Sequence, residues 1–255
     1  MVLLLVSLFK IVSIIEDDIE ADLEFEELAE LVDNEEQLAE GTLPANSAAP
    51  MDTDSKILPQ YRELYQENPD LAGWVQIEGT NLDYPVMYTP DDQEFYLRRA
   101  FDQSYSVSGT PFMGQGSSLD PQSDNLILYG HNISSKTMFA ALLNYKNETF
   151  WREHPCIRFD TLFQAGEYEV LSAFPIDVTP GNGHFQFYKY VDFDTVDERQ
   201  DFIACCKQLS LYETGVSVEE SDHLITLVTC SHHVKNGRFV VVAREKNNGE
   251  SFQTP

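Results

Sequence analysis

Apolar positions along the chain follow two different spacings, and the change from one to the other marks the beginning of a folded domain. First, apolar residues recur three or four positions apart at Leu58, Tyr61, Leu64 and Tyr65. This spacing predicts a short amphipathic helix, which an Asn-Pro pair ends. Residues 73–88 then contain two β-rich runs on either side of a Gly-Thr-Asn turn, and this pattern predicts a β-hairpin.

Short β-rich runs separated by Gly, Pro, Asn and Asp clusters make up most of the remaining chain. These predicted strands lie at residues 126–129, 157–159, 168–174, 224–229 and 239–243. Two predicted helices interrupt them. One begins at Ser135, and the other begins at Thr195, where the sequence Thr-Val-Asp-Glu fits a capping box. Many short strands with irregular connections indicate a closed barrel or a sandwich.

The first 55 residues differ in composition from this domain. Residues 1–15 are almost entirely apolar, and as a helix they would span roughly 22 Å, which is short of the ~30 Å hydrocarbon core of a bilayer. We expect a partial or truncated membrane anchor in this segment. Residues 16–55 contain a dense acidic stretch and then a linker rich in small residues and Pro, so we expect a solvated, self-repelling spacer there. Folded structure is expected in residues 56–255.

Charge and cysteine content limit the possible partners and cross-links. The formal net charge is −27, which argues against a nucleic-acid partner because phosphate binding relies on clustered Lys and Arg. Four cysteines are too few to staple a chain of 255 residues, and a disulfide between the adjacent Cys205 and Cys206 would be strained. We therefore expect free thiols.

A cysteine and an arginine flank a predicted hairpin near the end of the chain. One β-rich run ends at Cys230, a seven-residue polar loop follows, and Arg238 opens the next β-rich run. If the two strands pair antiparallel through this loop, Cys230 and Arg238 lie side by side at the same end of the sheet. The guanidinium would favour the reactive thiolate and could donate hydrogen bonds to the oxyanion that forms when the thiolate attacks a carbonyl.

A histidine follows another strand that the sequence predicts to be buried. This strand ends at Gly130, His131 and Asn132 and leads into a predicted helix. A histidine just past a strand end is expected on the rim of a sheet rather than inside it. An imidazole in that place can activate a thiol and later protonate a leaving amine. His131 is therefore a candidate partner of Cys230.

Two further histidines, His232 and His233, lie close to Cys230 in sequence but do not predict a metal site. Adjacent side chains point in different directions, and neither a CxxC nor an HExxH spacing is present. We therefore expect no metal ion.

These segments together resemble the sortase family. The sequence YGHN, followed by Met138-Phe139 and a Leu-rich helix, precedes the strand end TLVTC and an arginine eight positions after the cysteine, which is the order that sortases use. The similarity extends to residues 67–88 and 150–161 and covers roughly residues 57–245. A helix between the last barrel strands, here near residues 195–209, together with an N-terminal helix, is typical of class B sortases.

The resemblance implies a fold and a set of site residues. The fold would be mostly β, a closed eight-stranded sortase-type barrel with an N-terminal helix and a helix in the connection before the Cys-bearing strand. Cys230 would be the nucleophile, His131 the general acid and base, and Arg238 the residue that orients the substrate and stabilises the oxyanion. Asn132, Thr229 and His232 are predicted to bind substrate. Val228 stands where class B enzymes often carry Ser, and His232 stands where some carry Asp.

The resemblance also implies an activity and a cellular location. Residues 56–255 would be the catalytic domain of a cysteine transpeptidase that needs no cofactor. It would cleave a Pro-containing sorting signal near the C-terminus of secreted proteins and transfer the acyl group to an amine of a peptidoglycan precursor or of another surface protein. The N-terminus would attach it to the membrane, on the outer face of a Gram-positive bacterium. Two alternatives stay open: a cysteine peptidase that only hydrolyses its substrate, and an inactive surface binding module.

Overall fold

The computed structural model describes residues 22–37, 56–181, 183–231 and 234–246, and within them eight strands close into a barrel. In chain order the strands are β1 (Leu71–Gln76), β2 (Asp83–Met87), β3 (Phe112–Met113), β4 (Asn125–Tyr129), β5 (Cys156–Thr161), β6 (Glu167–Asp177), β7 (Leu224–Cys230) and β8 (Gly237–Glu245). Around the barrel their order is β1-β2-β3-β4-β7-β8-β6-β5. The predicted mostly β fold with a closed eight-stranded barrel is confirmed, and a sandwich is excluded.

Strands β4 and β7 run parallel, and both are covered on both faces. Leu126 and Leu227 belong to the larger apolar core, whereas Ile127 and Val228 belong to a second cluster, to which a helix also contributes. This double burial explains why both strands are almost continuously apolar, since a parallel pair buried on both faces has no solvent-facing positions to alternate with the core.

Helices and 3-10 turns fill the connections of the barrel. The described α-helices are α1 (residues 22–37), α2 (Arg62–Glu67), α3 (Glu148–Glu153) and α4 (Val196–Leu209). The 3-10 helices are Pro59–Tyr61, Phe95–Arg98, Phe139–Lys146 and Phe187–Lys189.

Helix α4 lies in the connection before β7, as the sequence predicts. The Thr195 hydroxyl accepts a hydrogen bond from the Glu198 main-chain N–H at 3.1 Å, and the Glu198 carboxylate accepts one from the Asp194 N–H at 2.9 Å. The first bond satisfies a main-chain donor in the first turn of the helix, so Thr195 is confirmed as the N-cap. The Glu198 carboxylate binds the Asp194 N–H instead of the Thr195 N–H of a standard capping box. Phe202 and Cys206 of this helix are buried in the second apolar cluster.

The helix predicted to begin at Ser135 is different in the structure. It is the 3-10 helix Phe139–Lys146, which begins four residues later. Lys136 and Met138 both have positive φ, at 69° and 55°, and Asn132 forms an isolated β-bridge with Met138. Left-handed backbone interrupts a right-handed helix, so none can begin before residue 139.

Part of the predicted spacer is ordered against the barrel as helix α1. Its apolar residues Phe25, Leu28 and Val32 are buried in the main core, and the Phe25 ring packs edge-on against Tyr84, 5.3 Å away. These three positions form one helical face within an otherwise acidic stretch. The structure therefore differs from the expectation of a fully solvated spacer.

Residues 1–15, which the sequence predicts to be a membrane anchor, lie outside the described residues. Residues 16–21 and 38–55 of the predicted spacer and linker also lie outside them. Among the helices that the structure does describe, none is both long enough and apolar enough to cross a membrane.

Candidate active site

The β7–β8 hairpin places a cysteine and an arginine together. Cys230, the last residue of β7, is directly opposite Arg238 in the antiparallel register. Directly opposed residues project to the same face with Cβ atoms roughly 5 Å apart. The predicted side-by-side placement of Cys230 and Arg238 is confirmed.

The β4–β7 pair brings His131 to the level of this cysteine. The last register pair is Tyr129 with Val228, and the Gly130 N–H donates to the Val228 carbonyl at 3.1 Å. His131 lies two residues beyond Tyr129, as Cys230 lies two residues beyond Val228. The two candidate catalytic residues therefore lie at equivalent positions at the ends of neighbouring parallel strands.

Gly130 is required where the chain leaves β4. A Cβ built at this position would lie 2.4 Å from the Phe139 ring, which is itself fully buried. The missing side chain lets this ring pack against the strand end just before His131. The tight packing explains why a glycine precedes the histidine.

His131, Cys230 and Arg238 line the same cavity, whose volume is about 810 Å³. Such a volume lies in the range of ligand-binding clefts. Polar and aromatic residues from other elements complete the wall, including Gln93, Glu94, Tyr129, Tyr188, Lys189 and Asp192. The lining includes both acidic side chains, Glu94 and Asp192, and basic ones, Lys189 and Arg238.

The main chain fixes the histidine ring. Nε2 of His131 lies 2.8 Å from the Leu97 carbonyl oxygen. A carbonyl only accepts hydrogen bonds, so Nε2 carries the proton and Nδ1 is left as the basic nitrogen of the neutral ring. Burial lowers the pKa of His131 below its ordinary value of 6.5, and the positive charge of Arg98 lowers it further, although the Leu97 hydrogen bond opposes both. The ring is therefore predominantly neutral at neutral pH.

Tyr129 is a cavity residue that the sequence analysis did not single out. Its ring stacks on Phe112 with the centroids 5.8 Å apart. Burial raises the pKa of Tyr129 to about 12, and the positive charge of Arg238 acts in the opposite direction. The hydroxyl thus stays protonated near the guanidinium. Only its place in the YGHN segment could have indicated it, because an aromatic residue at a strand end usually belongs to the core.

Two of the three predicted substrate-binding residues contact the main chain of the site. The Asn132 side-chain amide donates to the Cys230 carbonyl at 3.0 Å, and the Thr229 hydroxyl donates to the Gly130 carbonyl at 2.8 Å. Thr229 also lines the cavity, although its exposed fraction is only 1%. His232 lies outside the described residues. Substrate contact by these residues stays a prediction.

Two of the other cysteines, Cys156 and Cys206, lie in surroundings that raise the pKa of their thiols. All four cysteines have free thiols, as predicted. Burial raises the pKa of Cys206, and burial together with the nearby Glu167 carboxylate raises the pKa of Cys156 to about 12. A thiol with so high a pKa is a poor nucleophile at neutral pH. In the described ranges, no three His, Cys, Asp or Glu side chains are grouped so that they could hold a metal ion.

Comparison with known proteins gives one consistent result. A family model described as a sortase domain matches residues 75–246. Sortase B of Staphylococcus aureus (strain NCTC 8325 / PS 47) is 32% identical over 190 residues, which cover 74% of this chain and 75% of that protein. A solved Staphylococcus aureus sortase B–substrate complex is 26% identical with a TM-score of 0.74, covering 92% of this chain and 100% of that chain. A structure of sortase B complexed with triglycine is also 26% identical with a TM-score of 0.74, covering 91% of this chain and 100% of its own.

Proposed function

The chain belongs to the sortase family, and within it to the class B sortases, which are cysteine transpeptidases; from this premise we propose that Cys230, His131 and Arg238 are its catalytic residues. The observation that carries the proposal is the convergence of three strand ends, those of β4, β7 and β8, on one cavity. A thiol, a neutral imidazole and a guanidinium meet there, and this combination suits acyl transfer.

In the first step, Nδ1 of His131 takes the proton of the Cys230 thiol while the sulfur attacks a peptide carbonyl carbon. A C–S bond forms and the carbonyl oxygen becomes an oxyanion. When the oxyanion collapses, the C–N bond breaks and His131 gives its proton to the leaving amine. The products are a thioester on Cys230 and a peptide with a new amino terminus.

Arg238 stabilises the charge that develops in this step. Its guanidinium is held at the start of β8 by a hydrogen bond to the Gly237 carbonyl at 3.1 Å, and its place opposite Cys230 brings it to the reacting carbonyl. Fixed donors aimed at an oxyanion lower the barrier because they need no reorganisation during the reaction. The neutral Tyr129 hydroxyl is a second donor in this part of the cavity.

In the second step an amine replaces the peptide that has left. His131, neutral again, takes a proton as the amine nitrogen attacks the thioester, a C–N bond forms, and the C–S bond breaks. The proton returns to the Cys230 sulfur, so the enzyme is regenerated. The sortase B complex with triglycine supports a small amino-terminal acceptor of this kind.

The substrate would be a Pro-containing sorting signal near the C-terminus of a secreted protein, and the acceptor an amine of a peptidoglycan precursor or of another surface protein. The enzyme would act at the outer face of a Gram-positive membrane, with its N-terminus as the attachment. The Staphylococcus aureus sortase B–substrate complex supports binding of a substrate by this fold.

The products of the full chain with a library of Pro-containing peptides test this proposal. The library is incubated with and without triglycine, and the product masses are compared. Transpeptidation predicts cleaved peptide extended by triglycine, and Cys230→Ala should abolish it. Hydrolysed peptide alone in both samples would instead identify a cysteine peptidase. No cleavage of any peptide would favour an inactive binding module.

A further inference from the structure

The parallel hydrogen-bond ladder between β4 and β7 ends one step before the proposed catalytic pair. Its last observed rung is the bond from the Gly130 N–H to the Val228 carbonyl, 3.1 Å long. In a parallel ladder that continued in this register, the next acceptors would be the main-chain oxygens of Gly130 and Cys230. The first carbonyl belongs to the residue just before His131, and the second belongs to Cys230 itself.

Side chains occupy both of these acceptors. The Thr229 hydroxyl donates to the Gly130 oxygen at 2.8 Å, and the Asn132 amide donates to the Cys230 oxygen at 3.0 Å. The two bonds run in opposite directions across the gap between the strands. The first bond runs from Thr229, next to Cys230, to Gly130, next to His131. The second runs from Asn132, next to His131, to Cys230 itself.

We propose that Asn132 and Thr229 are positioning residues, which together set the distance and orientation between the His131 imidazole and the Cys230 thiol. The inference rests on the proposed catalytic roles of these two residues. A main-chain ladder holds neighbouring strands about 4.8 Å apart. Where side-chain hydrogen bonds replace the main-chain bonds of the ladder, the length of the side chains sets the separation of the strands. The Thr229 and Asn132 bonds therefore set the separation of β4 and β7 at the ends that hold His131 and Cys230.

Loss of either side chain should affect the chemical step more than substrate binding. A misplacement of about 1 Å can lower a rate by roughly 100-fold, because proton transfer between thiol and imidazole depends steeply on geometry. Both side-chain donors are engaged by main-chain carbonyls, and Thr229, although it lines the cavity, is only 1% exposed, so little of either group is left to contact a substrate. KM should therefore change much less than kcat.

Four variants separate positioning from simple stabilisation. Thr229→Val removes the hydroxyl at nearly constant volume, Thr229→Ser retains it, and Asn132→Ala removes the amide from a half-buried residue. Thr226→Val is the matched control, because the Thr226 hydroxyl donates to the Asn125 side chain at 2.8 Å between the same two strands, at their opposite end. Each variant is made in the full chain, and kcat, KM and the melting temperature are measured with a peptide that the unmodified chain processes.

The expected result is a selective loss of kcat. Thr229→Val and Asn132→Ala should lower kcat by roughly 10- to 100-fold with KM changed by less than about threefold. Thr229→Ser should retain most of kcat. Thr226→Val should lower the melting temperature about as much as Thr229→Val does, with kcat nearly unchanged. The proposal is overturned if Asn132→Ala keeps its kcat, or if Thr226→Val loses as much of kcat as Thr229→Val.

A second readout needs no substrate peptide. It therefore separates failure of this inference from failure of the proposed function. The rate of Cys230 alkylation by iodoacetamide is measured against pH by peptide mass spectrometry. Asn132→Ala and Thr229→Val should shift this profile, because the imidazole no longer faces the thiol in the same geometry, whereas Thr226→Val should not. An unchanged profile in Asn132→Ala would refute the inference even if no substrate were found, and Asn132→Ala covers the case in which Thr229→Val does not fold.

Discussion

Phe25 is one of the buried contacts that hold helix α1 on the barrel, and Phe25→Ala should weaken this attachment. The Phe25 side chain is 2% exposed and contacts Tyr84, whose hydroxyl accepts a hydrogen bond from the Met138 N–H at 3.0 Å. Removing a buried Phe side chain costs about 3–5 kcal/mol, and an edge-to-face ring pair accounts for roughly 0.5–1.5 kcal/mol of that. A loss of about 3 kcal/mol corresponds to a roughly 100-fold larger population of detached helix.

Limited proteolysis by a glutamate-specific protease measures this population, because α1 contains several glutamates that a protease reaches only when the helix opens. Leu23→Ala is the matched control, since Leu23 belongs to the same helix but is 55% exposed, and its change should stay within about 0.5 kcal/mol. Alanine favours helix more than phenylalanine does, so faster cleavage of Phe25→Ala cannot come from a weaker helix. Equal cleavage rates of Phe25→Ala and the unmodified chain, or equal increases in both variants, would refute the packing described for α1.

Three further predictions concern two residues of the site, His131 and Arg238, and one cysteine outside it, Cys156. An NMR titration should give His131 a pKa below 6.5, and Arg98→Gln should raise this pKa, because a nearby positive charge is removed. Because the folded state favours the neutral ring, the contribution of His131 to folding stability is intact above pH 6.5 and is lost as the pH falls below that value. A His131 pKa above 6.5 would contradict the effect of burial. Arg238→Lys should lower kcat by roughly 100-fold, because an ammonium cannot present the same paired donors to an oxyanion, and activity kept within twofold would argue against this role. Cys156→Ser should leave kcat unchanged, and iodoacetamide at pH 8 should modify Cys156 slowly, since its pKa is about 12; rapid modification would show that its thiol is not held protonated.

Local sequence signals predicted the parts of the site that depend on neighbouring strands. The Cys230–Arg238 pairing follows from a short loop between two β-rich runs, so the register is nearly determined by the sequence. Helix α4 was predictable for the same reason, because a capping box is a local pattern. Periodicity alone left a barrel and a sandwich open, and only the resemblance to sortases implied the closed eight-stranded barrel.

Contacts between distant segments were not predictable in this way. The Leu97 carbonyl that orients His131 lies 34 residues away and acts through main chain, which leaves no side-chain signal. Because Lys136 and Met138 have positive φ, the helix predicted from Ser135 begins only at Phe139. Neither residue type favours positive φ, so the sequence gives no sign of it. The buried face of α1 was hidden because three apolar positions lie within a strongly acidic stretch.

Trapping of the acyl-enzyme tests the central claim most directly. The full chain is mixed with a processed Pro-containing peptide, quenched in acid within seconds, and its mass is measured before and after digestion. The proposed mechanism predicts added mass equal to the acyl part of the peptide, located on Cys230, absent in Cys230→Ala and removed by triglycine. An adduct on any other residue, or product formation by Cys230→Ala at the unmodified rate, would contradict the assignment of Cys230 as the nucleophile.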